Sequence, residues 1–559
     1  EIKNSVTQKT IACFEPALDY LIVKFPRWDL TKFVKSNHLI GSSMQSVGEV
    51  MAIGRKFEEA IQKAARMLDL GLEGITDDNI PNADYKEPTP WRLFKIAQKI
   101  KDGQPIEKIA GATGINKFFL EKIKNITDAE NNLKNKKTLT REKLLNLKQL
   151  GSSDKRISTL LDSTNQKVKS LRDKYKIAPV TKQIDTLAAE YPAQTNYLYL
   201  TYNGTKDDID SNSKSQTSNT KQYQNQKLQT PNRSKEADFG NWKLEIGNSG
   251  KVLILGSGPY RIGSSVEFDW CSVTSAISAK ENGFLPIVIN CNPETVSTDF
   301  DMAERLYFEE LSEETVLEIY KKENPLGVIV SMGGQKPNNL TPYLARAGVN
   351  ILGTSPASID NAEDRDKFSK LCDDLEISQP PWAKLKSTED ALKFANSIKY
   401  PVLVRPSYVL SGAAMNVAFN AQDLSEYLSL ASNVSKEHPV VISKFIQNAK
   451  ELEIDAVASG GNIICQAISE HVENAGVHSG DSTLVLPAQK LYIQTVKKVK
   501  ETAAKIAKSL NISGPFNIQF LAIENEIMVI ECNLRASRSL PFVSKVLGTN
   551  YAQLATEAI

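Results

Sequence analysis

From Asn203 to Asn241 the chain is built almost wholly of Ser, Thr, Asn, Gln, Lys and Asp, with almost no large apolar side chain. A segment of that composition cannot offset its ordering entropy by burial, so residues 201–245 read as a disordered linker or insertion. This stretch constrains the fold more than any other feature, because the hydrophobic periodicity differs on its two sides. Before it the apolar residues recur mainly at helical spacing; after it they come in short runs that end at Gly or polar residues.

At 559 residues the chain is too long for one core, and about three to five domains are expected. With 41% hydrophobic and 24% charged residues it has the composition of a soluble globular protein. A net charge of +2 argues against a dedicated nucleic-acid or membrane-surface binder. No apolar run approaches the roughly 18 residues of a membrane span. The six cysteines lie far apart without a Cys-x-x-Cys pair, as expected of small buried residues in a reducing compartment. The N-terminus resembles no signal or transit peptide and carries no Met, and Tyr551 to Ile559 stops within a helical pattern. A piece of a longer polypeptide is the expectation.

In the first half, Leu18 to Lys24 reads as a strand, and Phe57, Ala60, Ile61, Ala64, Ala65 and Leu68 as one face of a helix. From Trp91 to Leu187 the pattern is helical. Ile106 to Leu120 is weakly echoed by Asp154 to Val168, each a short helix, a turn and a second helix. That outline fits a DNA reader or a pair of structural hairpins; the absence of a strong basic stripe favours the hairpins. In the second half, Lys251–Gly256, Leu285–Asn290 and Gly327–Met332 are apolar runs alternating with helical stretches, the pattern of a doubly wound parallel α/β unit. Its first turn holds Gly256, Gly258 and Gly263, but a dinucleotide fingerprint would need its third Gly at Arg261. A Rossmann-like turn without a dinucleotide is the better reading.

Chemistry is concentrated after Asn361. Val402–Val404 delivers Arg405 at a strand end, ahead of a small-residue loop with Ser411 and Gly412, which suits phosphate oxygens but also ends many ordinary strands. The strand Val440–Lys444 leads through Ile446 to Glu451, which could hold an adenine and a ribose or be a solvated Glu. Phe516 to Arg535 reads as two strands around a turn at Glu524–Glu526. Alternation puts Glu531 and Asn533 on one face, and a turn centred on Asn525 puts Gln519 opposite Glu531. Three oxygen donors there would select Mg2+ or Mn2+, although a polar solvent-facing strand would look the same. The loop Glu470–Ser482 holds His471 and His478; hydrogen bonding of His478 to an anion fits it better than a zinc site.

Several stretches closely resemble carbamoyl-phosphate synthetase: Asn292–Asp299, Glu363–Arg365, Val404–Gly412, Ala475–Ser482 and Glu531–Ser539. The resemblance extends over nearly the whole chain apart from the polar insertion. Ala12–Tyr20, Pro26–Leu30 and Gly41–Arg55 look like the tail of the family's first synthetase half, and the helical region ending in Lys182–Pro192 is similar to its oligomerisation domain. The resemblance is to the eukaryotic, fused, pyrimidine-pathway type. It implies an α/β ATP-grasp fold preceded by a Rossmann-like pre-ATP-grasp domain and an all-α connecting domain. The implied order is 1–72 tail, 73–200 helical, 201–245 insertion, 246–360 pre-ATP-grasp and 361–559 ATP-grasp.

The function so implied is ATP-dependent phosphorylation of carbamate to carbamoyl phosphate, with ATP, Mg2+ or Mn2+, and K+ as a further ion. The implied partners are carbamate made from bicarbonate and ammonia, a glutaminase subunit or domain, and a second copy of the chain, in the cytoplasm, without nucleic acid or membrane. Carried onto this chain, Arg365 and Arg405 would hold phosphates, Glu451 the ribose and Ile446 the adenine, with Val477, His478 and Ser479 at the nucleotide. Gln519, Glu531 and Asn533 would bind the metal, Arg535 would stabilise the transferring phosphoryl, and Glu267 and Arg538 would lie near the carbamate path. Ser443 stands where bacterial members often have an acid. Rival expectations are a urea-cycle or arginine-type synthetase and a biotin carboxylase-like ATP-grasp enzyme. Phosphoryl transfer needs positioning and charge neutralisation rather than a covalent nucleophile, and no Ser-His-Asp or Cys-His set is evident in the sequence.

Overall fold

The computed structural model describes residues 2–3, 11, 18–33, 36–134, 139–185, 197–209, 250–299, 301–385, 387–406, 416–434 and 440–559. The polar segment expected to be disordered lies, from residue 210 to 249, outside the described residues, as does Cys13.

The first half opens on an antiparallel pair, β1 (Leu21–Arg27) and β2 (Gly48–Gly54). The β1 strand starts three residues later than the apolar run suggested. Helix α1 (Phe57–Met67) follows, and its Ala60, Ile61, Ala64 and Ala65 are buried, as the helical spacing required. Ile61, Ala64 and Ala65 join Phe25, Val50 and Ala52 in one core. Six helices come next: α2 (Arg92–Lys101), α3 (Ile106–Thr113), α4 (Lys117–Lys134), α5 (Arg141–Gln149), α6 (Asp154–Leu160) and α7 (Asn165–Tyr175). Thr140, Ser153 and Thr164 cap α5, α6 and α7 by accepting from the N–H three residues on. The two echoed helix pairs each bury part of their apolar set, Ile109 and Leu120 in the first core, Ile157 and Val168 in a second with Leu144, while Phe118 and Phe119 of the first pair stay exposed.

The helical pattern expected to reach Leu187 ends at Tyr175. Lys176, at φ 54°, turns the chain out of α7, and Val180–Gln183 forms β3, paired antiparallel with β4 (Tyr197–Thr201). β-Branched and alternating aromatic side chains favour the sheet here over helix. The 73–200 range expected to be helical therefore contributes two strands to the sheet that follows. That sheet continues with β5 (Lys251–Leu255), β6 (Leu285–Asn290), β7 (Arg305–Phe308) and β8 (Gly327–Ile329), in the order β3-β4-β7-β6-β5-β8. From β4 to β8 every pairing is parallel, as the doubly wound reading required. Helix α8 (Val266–Glu281) packs on it through Phe268, Cys271 and Ala276.

Two antiparallel sheets complete the chain. The smaller comprises β9 (Trp382–Leu385), β10 (Val402–Pro406), β11 (Asn416–Ala418) and β12 (Val440–Lys444), ordered β11-β10-β12-β9. The larger comprises β13 (Lys450–Ser459), β14 (Asn462–Asn474), β15 (Leu484–Val485), β16 (Gly514–Ile523) and β17 (Glu526–Asn533), ordered β15-β14-β13-β16-β17. Leu452, Ile454, Ala456, Phe516, Ile518 and Phe520 of this sheet share one core with Leu253 and Leu255 of the parallel sheet and with the helix Ile493–Ser509. This common core sets the larger sheet against the parallel one, so their polar residues can meet. Among the described residues no helix is long and apolar enough to cross a membrane, and the described cysteines are free thiols, all buried except the half-buried Cys465.

Candidate active site

The site grows out of strict alternation in β13 and β16. Even-numbered residues point into the core, so odd-numbered ones share the opposite face: Glu451, Glu453 and Asp455 on β13, and Asn517 and Gln519 on β16. Register places Gln519 beside Glu453 and Asn517 beside Asp455. On the other flank Gln519 faces Glu531, and Asn517 faces Asn533. Of the three expected metal donors, Gln519 and Glu531 are thus cross-strand neighbours, and Asn533 lies two residues further along β17.

The reason differs from simple alternation about Asn525. The turn is the two residues Glu524 and Asn525, with Glu524 at φ 52°, and Ile523 pairs with Glu526. Unbroken pairing from that turn would put Ile530 opposite Gln519. A bulge between Gln519 and Phe520 skips Ile530 and brings Glu531 into place. The displaced Ile530 carbonyl accepts from Arg365 Nη1 at 2.9 Å. Arg365, expected at phosphate, braces the bulge beside the expected donors.

Asn533 Nδ2 donates to Glu531 Oε1 at 3.0 Å. The Gln519 amide nitrogen donates to Glu453 Oε1 at 3.3 Å and to Ser479 Oγ at 3.1 Å, so its oxygen is the atom left to face a cation. Among the described residues no three His, Cys, Asp or Glu side chains converge as a metal cage. One carboxylate with two amides fits a hard cation that takes its remaining ligands from phosphate and water, which is the habit of Mg2+.

Arg535 follows directly on β17. Its Nε donates to Gln335 Oε1 at 2.7 Å, at the carboxyl end of the parallel sheet, and its Nη2 lies 3.4 Å from Asn533 Oδ1. Desolvation outweighs the attraction of Glu363 and Glu531 and lowers its pKa. Glu363 accepts from Gln335 and Asn338; burial raises its pKa in spite of those donors. Arg538 and Glu267, the two expected near the carbamate path, meet at 3.1 Å, and Arg538 Nη1 also lies 3.4 Å from the Gly480 carbonyl.

The loop Ala475–Ser482 lies over this face. His478 caps a short turn at Ser479–Asp481 by accepting from Gly480 N at 3.0 Å on Nδ1. His478 and Val477 are exposed, and Ser479 reaches Gln519. Ile446 is half-buried in the Phe445–Ala449 link between the two antiparallel sheets, and Glu451 is buried at the start of β13. Arg405 has its backbone in β10 opposite Val441, while its side chain and the 407–415 loop with Ser411 and Gly412 lie outside the described residues. Ser443 is buried between Leu403 and Trp382.

Sequence reasoning missed Glu453 and Asp455. Burial and Glu453 alongside push the Asp455 carboxyl up to about 6, against hydrogen bonds from Ser537, Ser539 and Asn517. It also missed the line Glu453–His471–Ser482, in which His471 Nε2 is 3.2 Å from Glu453 and Nδ1 is 2.7 Å from Ser482 Oγ. The sign was present in Glu-Leu-Glu-Ile-Asp, where acids take every second position of an otherwise apolar run.

Three family models match in succession: the carbamoyl-phosphate synthetase large-chain oligomerisation domain over 49–176, the carbamoyl phosphate synthase preATP-grasp domain over 248–361, and the carbamoyl-phosphate synthase L chain ATP binding domain over 364–558. The whole chain is 53% identical to multifunctional protein pyr1-3 of Dictyostelium discoideum and 50% identical to multifunctional protein CAD of Squalus acanthias, covering 24% of each. It is 49% identical, again over its whole length, to human carbamoyl-phosphate synthase (ammonia), mitochondrial, of which it covers 36%. The chain thus spans about a quarter to a third of the length of these relatives. With three consecutive domain models and half identity end to end, the chain belongs to the carbamoyl-phosphate synthetase large-chain family, with its pre-ATP-grasp and ATP-grasp domains and its oligomerisation domain.

Proposed function

We propose that the chain phosphorylates carbamate with ATP, yielding carbamoyl phosphate and ADP for pyrimidine synthesis. The observation that carries this reading is the meeting of Gln519, Glu531 and Asn533 across β16 and β17 with Arg535 beside them. A carbamate oxygen attacks the γ-phosphorus, and the bond to the β,γ-bridging oxygen breaks with its electron pair leaving on ADP. No proton has to move. The chain's work is therefore to align the phosphates and to meet charge as it spreads over the transferring group. Mg2+ or Mn2+, held by Gln519, Glu531 and Asn533, supplies charge neutralisation on the phosphate oxygens when bound; K+ is proposed as an accompanying ion. Arg535, held by Gln335, presents a permanent positive charge to the transferring phosphoryl, and Arg365 and Arg405 hold phosphates. Ile446 and Glu451 receive adenine and ribose beneath the 475–482 loop. Glu267 and Arg538 line the entry of carbamate.

Partners proposed with this reading are a glutaminase that supplies ammonia and a second copy of the chain, in the cytoplasm. The proposed division of the chain is a tail to residue 72, a helical unit, the polar insertion, a pre-ATP-grasp unit to 360 and the ATP-grasp unit beyond. A second reading, an ammonia-dependent mitochondrial enzyme, is favoured by the 49% identity to the human protein of that name. The two share this phosphorylation step and part on the nitrogen source.

The test is ATP formation from carbamoyl phosphate and MgADP. The chain is expected to make ATP, and Glu531→Gln to lower the rate on the order of 100-fold. No ATP from the parent chain would refute the reaction; a Glu531→Gln rate equal to the parent's would refute the metal assignment.

A further inference from the structure

Glu453, like Asp455, is a carboxylate on the polar face with no metal or nucleotide role in the proposed function. Glu453 sits mid-strand on β13, 5% exposed, with Gln519 beside it on β16 and Ser469 beside it on β14. Its Oε1 accepts Gln519 Nε2 at 3.3 Å and faces His471 Nε2 at 3.2 Å, and its Oε2 accepts Asn517 Nδ2 at 3.2 Å. His471 is itself 2% exposed, with Nδ1 2.7 Å from Ser482 Oγ. Gln519 Nε2 also reaches Ser479 Oγ at 3.1 Å. Ser479 and Ser482 belong to the same loop, so the loop is tied to a single carboxylate by two arms, one through Gln519 and one through His471. The hydrogen bonds close a ring.

We propose that Glu453 is a positioning residue that latches the 475–482 loop to the metal-binding amide of Gln519, making loop placement and metal binding one event. An ionised carboxylate only accepts hydrogen bonds, so it holds the Gln519 nitrogen inward and turns its oxygen outward toward a cation. The same oxygen keeps the Nε2 proton of His471 directed at Glu453, which leaves Nδ1 to accept from Ser482. Groups that orient a metal ligand in this way typically govern affinity by about 10- to 100-fold when removed. The inference rests on the proposed Mg-nucleotide site and adds a coupling that the site does not require.

The experiment is a Mg2+ titration of the chain with a fluorescent ADP analogue, reading the half-saturating Mg2+ and, in EDTA, the metal-free nucleotide affinity. Glu453→Gln is expected to raise half-saturating Mg2+ by about 10-fold or more, with metal-free affinity within about two-fold of the parent. Ser482→Ala cuts the arm far from the metal ligand. It is expected to speed amide exchange across 475–482 and still raise half-saturating Mg2+ by about three-fold. A folded Glu453→Gln with unchanged Mg2+ dependence overturns the latch. Should that variant not fold, Ser482→Ala decides: faster loop exchange with unchanged Mg2+ dependence overturns it equally. A parent chain without any Mg2+-dependent ADP binding refutes the proposed site itself, an outcome distinct from either.

Discussion

Asp455 is a carboxylate whose burial works against its own ionisation. It is fully buried, and its partners Ser537, Ser539 and Asn517 are neutral. Burial and Glu453 raise its carboxyl from an ordinary 3.8 to about 6. A raised folded-state pKa favours the protonated form, so its stabilising contribution is complete below the unfolded value and is lost as pH climbs through about 6. Asp455→Asn, which stays neutral, is therefore expected to gain melting temperature relative to the parent between about pH 4 and about pH 7. Thermal melts at the two ends would check it, and an offset independent of pH would show that Asp455 does not titrate in this window.

At the scale of elements, the β17 bulge and the 475–482 loop set the geometry that single residues cannot. The bulge moves Glu531 opposite Gln519 and turns the Ile530 carbonyl toward Arg365. The loop is held by Gly476, at φ 118°, where an added Cβ would stand 3.0 Å from the Phe445 ring. Gly476→Ala meets both a left-handed backbone and that ring, a strain of about 1–3 kcal/mol. The expected result is MgADP binding weakened about ten-fold, which calorimetric titration would measure. Affinity equal to the parent's would show that this loop does not contact the nucleotide.

Across the whole molecule, the helical region is joined to the parallel sheet by buried charges. Arg172 on α7 holds Asp154 at 2.9 Å and Glu318, on the helix Glu313–Glu323, at 3.2 Å, while Lys148 reaches Glu314 at 2.6 Å and Asp154 at 3.1 Å. Burial works against ionisation of Glu314, yet Lys148 and Arg172 hold it down to about 2. Breaking such a network strands a charge in the interior. Arg172→Met is expected to cost about 3–5 kcal/mol in urea unfolding, with MgADP affinity unchanged. A loss below about 1 kcal/mol would mean that solvent reaches the network.

Much of this architecture was legible in the order of the residues, because local rules are local. Helical spacing marked α1 and the paired helices, short apolar runs marked β5, β6 and β8, and alternation put Glu531 and Asn533, two of the proposed metal donors, on one face of their strand. Resemblance supplied the family, and with it the substrate proposed here. The strands β3, β4 and β7 were not legible: short segments gain their sheet from partners distant in sequence. Nor was the Ile530 bulge, whose cause is register against β16 and the reach of Arg365. Glu453 and Asp455 are written plainly in the sequence as alternating acids. Only the stacking of β14, β16 and the 475–482 loop decided that they are buried, and gave Glu453 a histidine and an amide to hold. A sequence states which side of a strand a side chain takes; what stands on that side is settled when separate strands share one core.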